Sequence, residues 1–146
     1  IALACDLRVC SPDARFGVPI AKTLGNCLSI ANCARMIDLV GPAVFKDMIF
    51  TARLFQVQEA LRHGVVTQVA EADRIEATDR DLAATLAAHA PLTIAATKEM
   101  VRRIQEARRP PANAAHDLIA RVYGSADFKE GVQAFLAKRP PRWTGA

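Results

Sequence analysis

The feature that most restricts this chain is a change of character near residue 70. Before it, short apolar runs alternate with turns marked by glycine and proline; after it, apolar residues recur almost wholly at helical spacing. Ala72 to Ala88 is alanine-rich, with Ile75, Leu82 and Leu86 as larger anchors, and Pro91 opens a helix that places Ile94, Val101 and Ile104 on one face. Pro110-Pro111 ends it, and a helix from about Ala112 to Tyr123 follows. Ser125 then caps a last helix in which Phe128, Val132, Phe135 and Leu136 share a face.

The first part reads differently. Ile1 to Val9 has the continuous apolar character of a strand covered on both faces, with Asp6 and Arg8 near its end. Ser11-Pro12-Asp13 is a turn, and Phe16 to Cys27 is a shaped loop whose two glycines, proline and small polar residues let backbone approach a ligand. An active site is expected to pass through that loop. Ser29 caps a helix carrying Ile30, Cys33, Ala34, Ile37 and Val40 on one face, which Gly41-Pro42 stops before a second helix turns Val44, Phe45, Met48 and Ile49 inward. Thr51 to Phe55 is extended, Val57 to His63 is a brief helix closed by Gly64, and Val65 to Val69 returns as a strand. These patterns predict an α/β core piece followed by a helical region.

With 146 residues, 51% of them hydrophobic, the chain has material for a real core. Its start, Ile-Ala-Leu-Ala-Cys without Met, reads as a cut into a strand of a longer protein. No apolar run is long enough for a bilayer span, no signal-peptide pattern is present, and a soluble protein is expected. The net charge of +4 comes mostly from Arg102, Arg103, Arg108, Arg109 and Lys138 to Arg142, a balance suited to an anionic small ligand or to solvated helix faces. One Trp and one Tyr, without aromatic interleaving along the basic stretch, disfavour nucleic acid. Cys5, Cys10, Cys27 and Cys33 lack Cys-x-x-Cys spacing and stand far from His63, His89 and His116, so no metal site is expected. Buried thiols in a reducing cytoplasm are the simpler reading, with Cys27 the thiol placed in the loop.

In order and spacing, Ile1 to Arg8, Asp13-Ala14-Arg15-Phe16-Gly17-Val18-Pro19, Leu39-Val40-Gly41, Thr51-Ala52-Arg53, Glu59-Ala60, Gly64-Val65-Val66 and the ending Glu130 to Pro141 resemble the enoyl-CoA hydratase/isomerase, or crotonase, superfamily. The resemblance covers the whole chain and implies its C-terminal half. It implies a crotonase-like spiral of ββα units, of which residues 1–70 are the C-terminal part of the core, and a helical region, 71–146, that covers the active site and makes trimer contacts, with hexamers as a further possibility. It also implies an acyl-CoA substrate, no cofactor beyond coenzyme A as part of that substrate, and a cytoplasmic protein.

The implied chemistry is stabilisation of a thioester enolate by two backbone N–H donors, both of which fall upstream of Ile1 in this register. Family hydratases add two glutamates. The first falls immediately before Ile1, and the second follows the proline of Phe-Gly-x-Pro, where this chain has Ile20. Isoleucine has no exchangeable proton, so ordinary hydration is in question and a catalytically inactive binding or assembly subunit is the alternative. Pro19, Ile20, Asn26 and Cys27 are the candidate pocket residues, and Phe135 and Lys138 match positions that help hold the CoA nucleotide. Asn26 and Thr23 could orient a water or a carbonyl and Asp6 and Asp13 could carry protons, each with a structural role as the competing reading, while Lys22 reads as a CoA-phosphate contact or a solvated side chain and Ser29 as a helix cap.

Overall fold

A computed structural model describes residues 2–146, so Ile1, the first residue of the expected strand, lies outside the described residues. The chain divides into two compact units, Ile1–Arg15 with Gln56–Arg109 and Phe16–Phe55 with Pro110–Ala146. Short strands β1, Val9–Cys10, and β2, Arg15–Phe16, pair with β4, Gln68–Val69, and β3, Phe55–Gln56, respectively.

In the first unit the long strand expected from Ile1 to Val9 does not form. Ala2–Ala4 is a 3-10 turn, and extended pairing is confined to β1, parallel to β4 with Val9 opposite Gln68 and Cys10 opposite Val69. Strand backbone persists only where a neighbour satisfies its N–H and C=O groups, and β4 offers two residues. Ahead of β1 the chain is tied through Arg8 instead, whose guanidinium donates to the carbonyls of Val65 and Cys5 while its own carbonyl accepts from Thr67 N at 2.8 Å. Helix α3, Val57–Arg62, ends where Gly64 takes a φ of 72°, and Val57, Ala60, Val65 and Val66 are this unit's buried apolar residues.

Helices α4, Ile75–Ala87, and α5, Pro91–Ala107, keep close to the expected boundaries. Their apolar faces are not buried as expected: Val101 is 49% and Ile104 50% exposed. Two helices side by side cover only a narrow stripe of each other, and the wider apolar arc of α5 needs another layer that this unit does not supply. A groove of about 650 Å³ opens here, lined by Leu82, Leu86, Ile94 and Val101 and by the Lys98–Asp6 ion pair.

In the second unit α2, Ile30–Phe50, is two helical runs joined at Gly41, where φ is 76°, as the Gly41-Pro42 pair implies. Ser29 caps it by accepting from Asn32 N at 3.3 Å. Met36, Met48 and Phe55 form the buried core, with Val18, Val44 and Phe45 packed against it. The loop after Phe16 is less irregular than expected, because Ile20–Thr23 makes one helical turn, α1, and Ile20 O accepts from both Leu24 N and Gly25 N. Helix α6, His116–Gly124, begins four residues later than Ala112. Ser125 caps α7, Ala126–Leu136, accepting from Phe128 N at 3.0 Å.

The buried face of α7 differs from the one its apolar spacing suggests. Gly131 and Ala134 point inward, while Phe135 is 63% and Leu136 76% exposed. The helix approaches Leu24 so closely that a Cβ on Gly131 would lie 2.3 Å from the Leu24 carbonyl oxygen. Turning the smallest residues toward that contact swings the large ones out. Among the described residues no helix is long and apolar enough to cross a membrane.

Gly131 therefore reverses the usual helix rule. Glycine to alanine within a helix ordinarily gains about 0.5–1 kcal/mol from propensity, whereas Gly131→Ala is expected to lose about 1–3 kcal/mol by overpacking. Gly124→Ala, with nothing within 4 Å of its added methyl, is the control and should be neutral or stabilising. Denaturant midpoints of the two variants check the sign.

Candidate active site

Local chain chemistry places three of the four candidate pocket residues on one cavity of about 180 Å³ in the second unit. Ile20 enters from α1, Asn26 and Cys27 from the loop behind it, Cys33 from the first run of α2, and Phe45 and Lys46 from the second. Pro19 stands just before α1 and does not line the cavity; its carbonyl accepts from Thr23 Oγ1 at 2.9 Å. Lys46 and Phe45 reach the cavity because Gly41 redirects α2, a long-range consequence that helical periodicity alone does not reveal.

Apolar surface dominates this space, and among the described residues no carboxylate lines it. Asn26 supplies the amide: its Nδ2 is 3.5 Å from the Tyr123 hydroxyl, which in turn donates to the Cys27 carbonyl at 3.4 Å. Asn26 Oδ1 is buried and has no hydrogen-bond partner among the described residues. A buried acceptor left unpaired costs about 1–3 kcal/mol, so a ligand or water donor is strongly favoured there. Burial, then the neighbouring Cys27, pushes the Cys33 thiol up from its ordinary value. That keeps Cys33 a neutral thiol near pH 7, without the thiolate that nucleophilic attack requires. The cavity can hold a small apolar group and orient one polar atom.

The remaining candidates serve the fold or stand on the surface. Thr23 bonds the backbone of its own turn, Ser29 caps α2, and Lys22 is exposed. Asp6 pairs with Lys98, and Asp13 accepts from the Ser11 hydroxyl, which holds its carboxyl below the usual range. Arg102 and Arg103 are neutralised on their own helix by Glu99 and Glu106, so that basic run is a solvated, paired face. Phe135 and Lys138 lie together at the exposed end of α7, joined by the bond from Lys138 N to Phe135 O at 3.2 Å. Among the described residues no group of three His, Cys, Asp or Glu side chains is placed to hold a metal ion.

Residues that hold the loop were not singled out by sequence pattern. Besides Tyr123 and Gly131, Trp143 lies on Gly25, and the segment 139–146 is pinned to α7. Glu130 accepts from the Arg139 guanidinium at 2.6 and 2.9 Å and from Arg142 N at 2.9 Å; Asp127 accepts from Thr144 N at 2.7 Å and Gly145 N at 2.8 Å. A single tryptophan among weakly aromatic surroundings was the available signal, but its partner is more than a hundred positions away.

Short strand pairing, a helix broken at glycine and a helical C-terminal half define a mixed α/β chain, and its solved structural neighbours make the class crotonase-like. The structure of methylmalonyl-CoA decarboxylase in complex with 2-nitronate-propionyl-CoA superposes with a TM-score of 0.89 at 28% identity, covering 99% of this chain and 56% of that one. Carnitinyl-CoA hydratase from Mycobacterium avium superposes with a TM-score of 0.84 at 27% identity, covering 99% of this chain and 57% of the other. In sequence, carnitinyl-CoA dehydratase of Salmonella heidelberg (strain SL476) is 37% identical over 150 residues, 99% of this chain and 57% of that relative. The sequence model described as enoyl-CoA hydratase/isomerase matches residues 1–146, and the chain belongs to that family. It spans little more than half the length of the relatives it matches, in keeping with the expected C-terminal half.

The pinned tail gives a pH prediction. Glu130 is pushed down to about 2, first by the Arg139 hydrogen bonds and then by Arg142 N. A carboxyl whose folded pKa lies below its unfolded value stabilises above the unfolded value, near 4.5, and that contribution disappears as pH falls through about 2. Urea midpoints measured between pH 5 and about 2 should therefore fall more steeply for the natural protein than for Glu130→Gln. Equal pH slopes would contradict the pairing.

Proposed function

We propose that the intact protein acts on an acyl-CoA thioester through an enolate whose charge is held at the thioester oxygen. The observation that carries this reading is the family match over the entire chain, supported by relatives whose names all specify CoA thioesters. Proton removal or bond cleavage beside a thioester carbonyl moves negative charge onto that oxygen, and preorganised N–H groups are the strongest means of stabilising it. In this reading Ile20, Asn26 and Cys27 bound the acyl end, with Pro19 fixing the turn before them. Phe135 and Lys138 meet the nucleotide end, where a ring packs on adenine and an ammonium faces phosphate. Coenzyme A enters as part of the substrate, with no further cofactor and no metal.

Ile20 favours one-base chemistry, such as double-bond isomerisation, over hydration. Moving a double bond requires one group that takes a proton from one carbon and returns it to another. Hydration requires a water to be activated as well, and the described cavity wall carries the Asn26 amide and no carboxylate. Residues 71–146 make oligomer contacts and cover the site in this proposal, with 1–70 belonging to the core; exposed Leu92, Met100, Leu118 and Leu136 support a trimeric or hexameric assembly. In this reading the protein works in the cytoplasm, without a nucleic-acid partner.

The same carboxylate-free lining favours a second reading, an inactive member that binds acyl-CoA or assembles with active subunits. Calorimetry and turnover separate the two. Intact protein is expected to bind crotonyl-CoA, to hydrate it far more slowly than an efficient hydratase does, and to isomerise a 3-enoyl-CoA. Binding without either reaction supports the inactive reading, and no binding removes the enzyme and the acyl-CoA-binding member and leaves only assembly with active subunits. Asn26→Ala should weaken acyl-CoA binding about tenfold, corresponding to about 1.4 kcal/mol.

A further inference from the structure

The loop that carries Asn26 and Cys27 is clamped by the end of the chain. Gly25, immediately before them, sits at φ +62°, and a Cβ built there would meet the Trp143 ring at 2.9 Å and the Asp127 carbonyl at 3.3 Å. The indole therefore rests directly on the backbone of residue 25. Trp143 is itself fixed on both sides: ahead of it Arg139 and Arg142 N bind Glu130, and behind it Thr144 and Gly145 bind Asp127. Ala146 O closes the segment by accepting from Ala126 N at 2.8 Å, at the start of α7.

We propose that residues 139–146 form a strap in which Trp143 is a positioning residue, holding Gly25 so that Asn26 presents its amide, and Cys27 its thiol, to the 180 Å³ cavity. Three observations converge on this. The contacts that orient Asn26 from α6 are long, at 3.5 and 3.4 Å through Tyr123, and cannot by themselves fix an amide plane. Asn26 Oδ1 is buried and unpaired among the described residues, so no protein donor fixes the carbonyl end of the amide. The backbone of residue 25 has the indole on one face and returns its N–H to Ile20 O at 2.9 Å. The strap thereby couples the C-terminal carboxylate pins to the geometry of the cavity. A ligand role for Asn26 rests on the acyl-CoA reading above; the clamping of the loop does not.

The test uses the intact protein and two readouts. Alkylation of each cysteine by iodoacetamide, followed by peptide mass spectrometry, reports the loop without any substrate. Trp143→Ala is expected to raise the Cys27 rate about tenfold while leaving Cys10, in the other unit, unchanged, and Trp143→Phe should restore most of the protection. Asp127→Asn, which removes the charged acceptor of Thr144 and Gly145, provides a milder release if Trp143→Ala fails to fold. Crotonyl-CoA binding by calorimetry should weaken in parallel with Cys27 exposure. If Cys27 reacts at the natural rate in Trp143→Ala and Asp127→Asn, or if Cys10 rises equally with it, the strap does not position the loop. If Cys27 alone becomes exposed but neither natural protein nor variants bind crotonyl-CoA, the strap stands and the acyl-CoA reading falls. Loss of Cys27 protection with unchanged crotonyl-CoA affinity overturns the coupling to Asn26.

Discussion

The approach of α7 to the Leu24 carbonyl is the constraint on which the second unit depends. With no side chain at Gly131 the helix settles onto the end of α1, and this contact decides which way the rest of α7 faces. Ala134 is buried, Phe135 and Leu136 turn to the surface, and Glu130 and Asp127 are left where the returning chain can reach them. One residue further along, Trp143 packs on the loop at Gly25. A missing methyl group thus determines the orientation of a helix and the seat of the tail.

Acidic groups in this chain are largely engaged away from that cavity. Glu130 and Asp127 hold the tail, Asp6 holds Lys98, Asp13 caps its own turn, Asp47 pairs with Arg53, and Glu99 is pushed down to about 2 by Arg102 and Arg103. Exposed pairs of this kind contribute little each. Their importance here is positional, because each fixes a segment and leaves no carboxylate among the described residues of the cavity wall.

Much of the architecture could be read from residue pattern because its signals are local. Gly41-Pro42 breaks α2, Gly64 closes α3, Pro91 opens α5, and Ser29 and Ser125 cap the helices that follow them. Such signals act through backbone dihedrals and orphan N–H groups within a few residues. The failures were of another kind. The apolar run up to Val9 reads as a strand, but pairing depends on a neighbour, and β4 supplies only two residues. Phe135 and Leu136 fit an apolar stripe, but which stripe is buried depended on how closely Gly131 lets Leu24 approach. For the site, family resemblance pointed to Pro19 and Ile20 and the loop's own composition to Asn26 and Cys27; Ile20, Asn26 and Cys27 line one cavity, and Pro19 stands outside its lining. Lys46, Tyr123 and Trp143 were not found because their relation to the loop exists only after the chain has folded back on itself.

What the cavity can and cannot supply bears on the kind of reaction that suits it. An amide can accept or donate a hydrogen bond and so orient a water or a carbonyl, but it does not exchange a proton at neutral pH as a carboxylate does. Cys33, kept protonated by burial, is no better as a base. The described wall therefore favours binding and orientation over proton transfer. Chemistry that concentrates charge on a thioester oxygen tolerates such a wall, since the charge is met by N–H donors and a single base can both remove and return the proton. In the proposed acyl-CoA reading, addition of water tolerates it poorly, because the nucleophile must be oriented and deprotonated and the described wall offers no carboxylate for either.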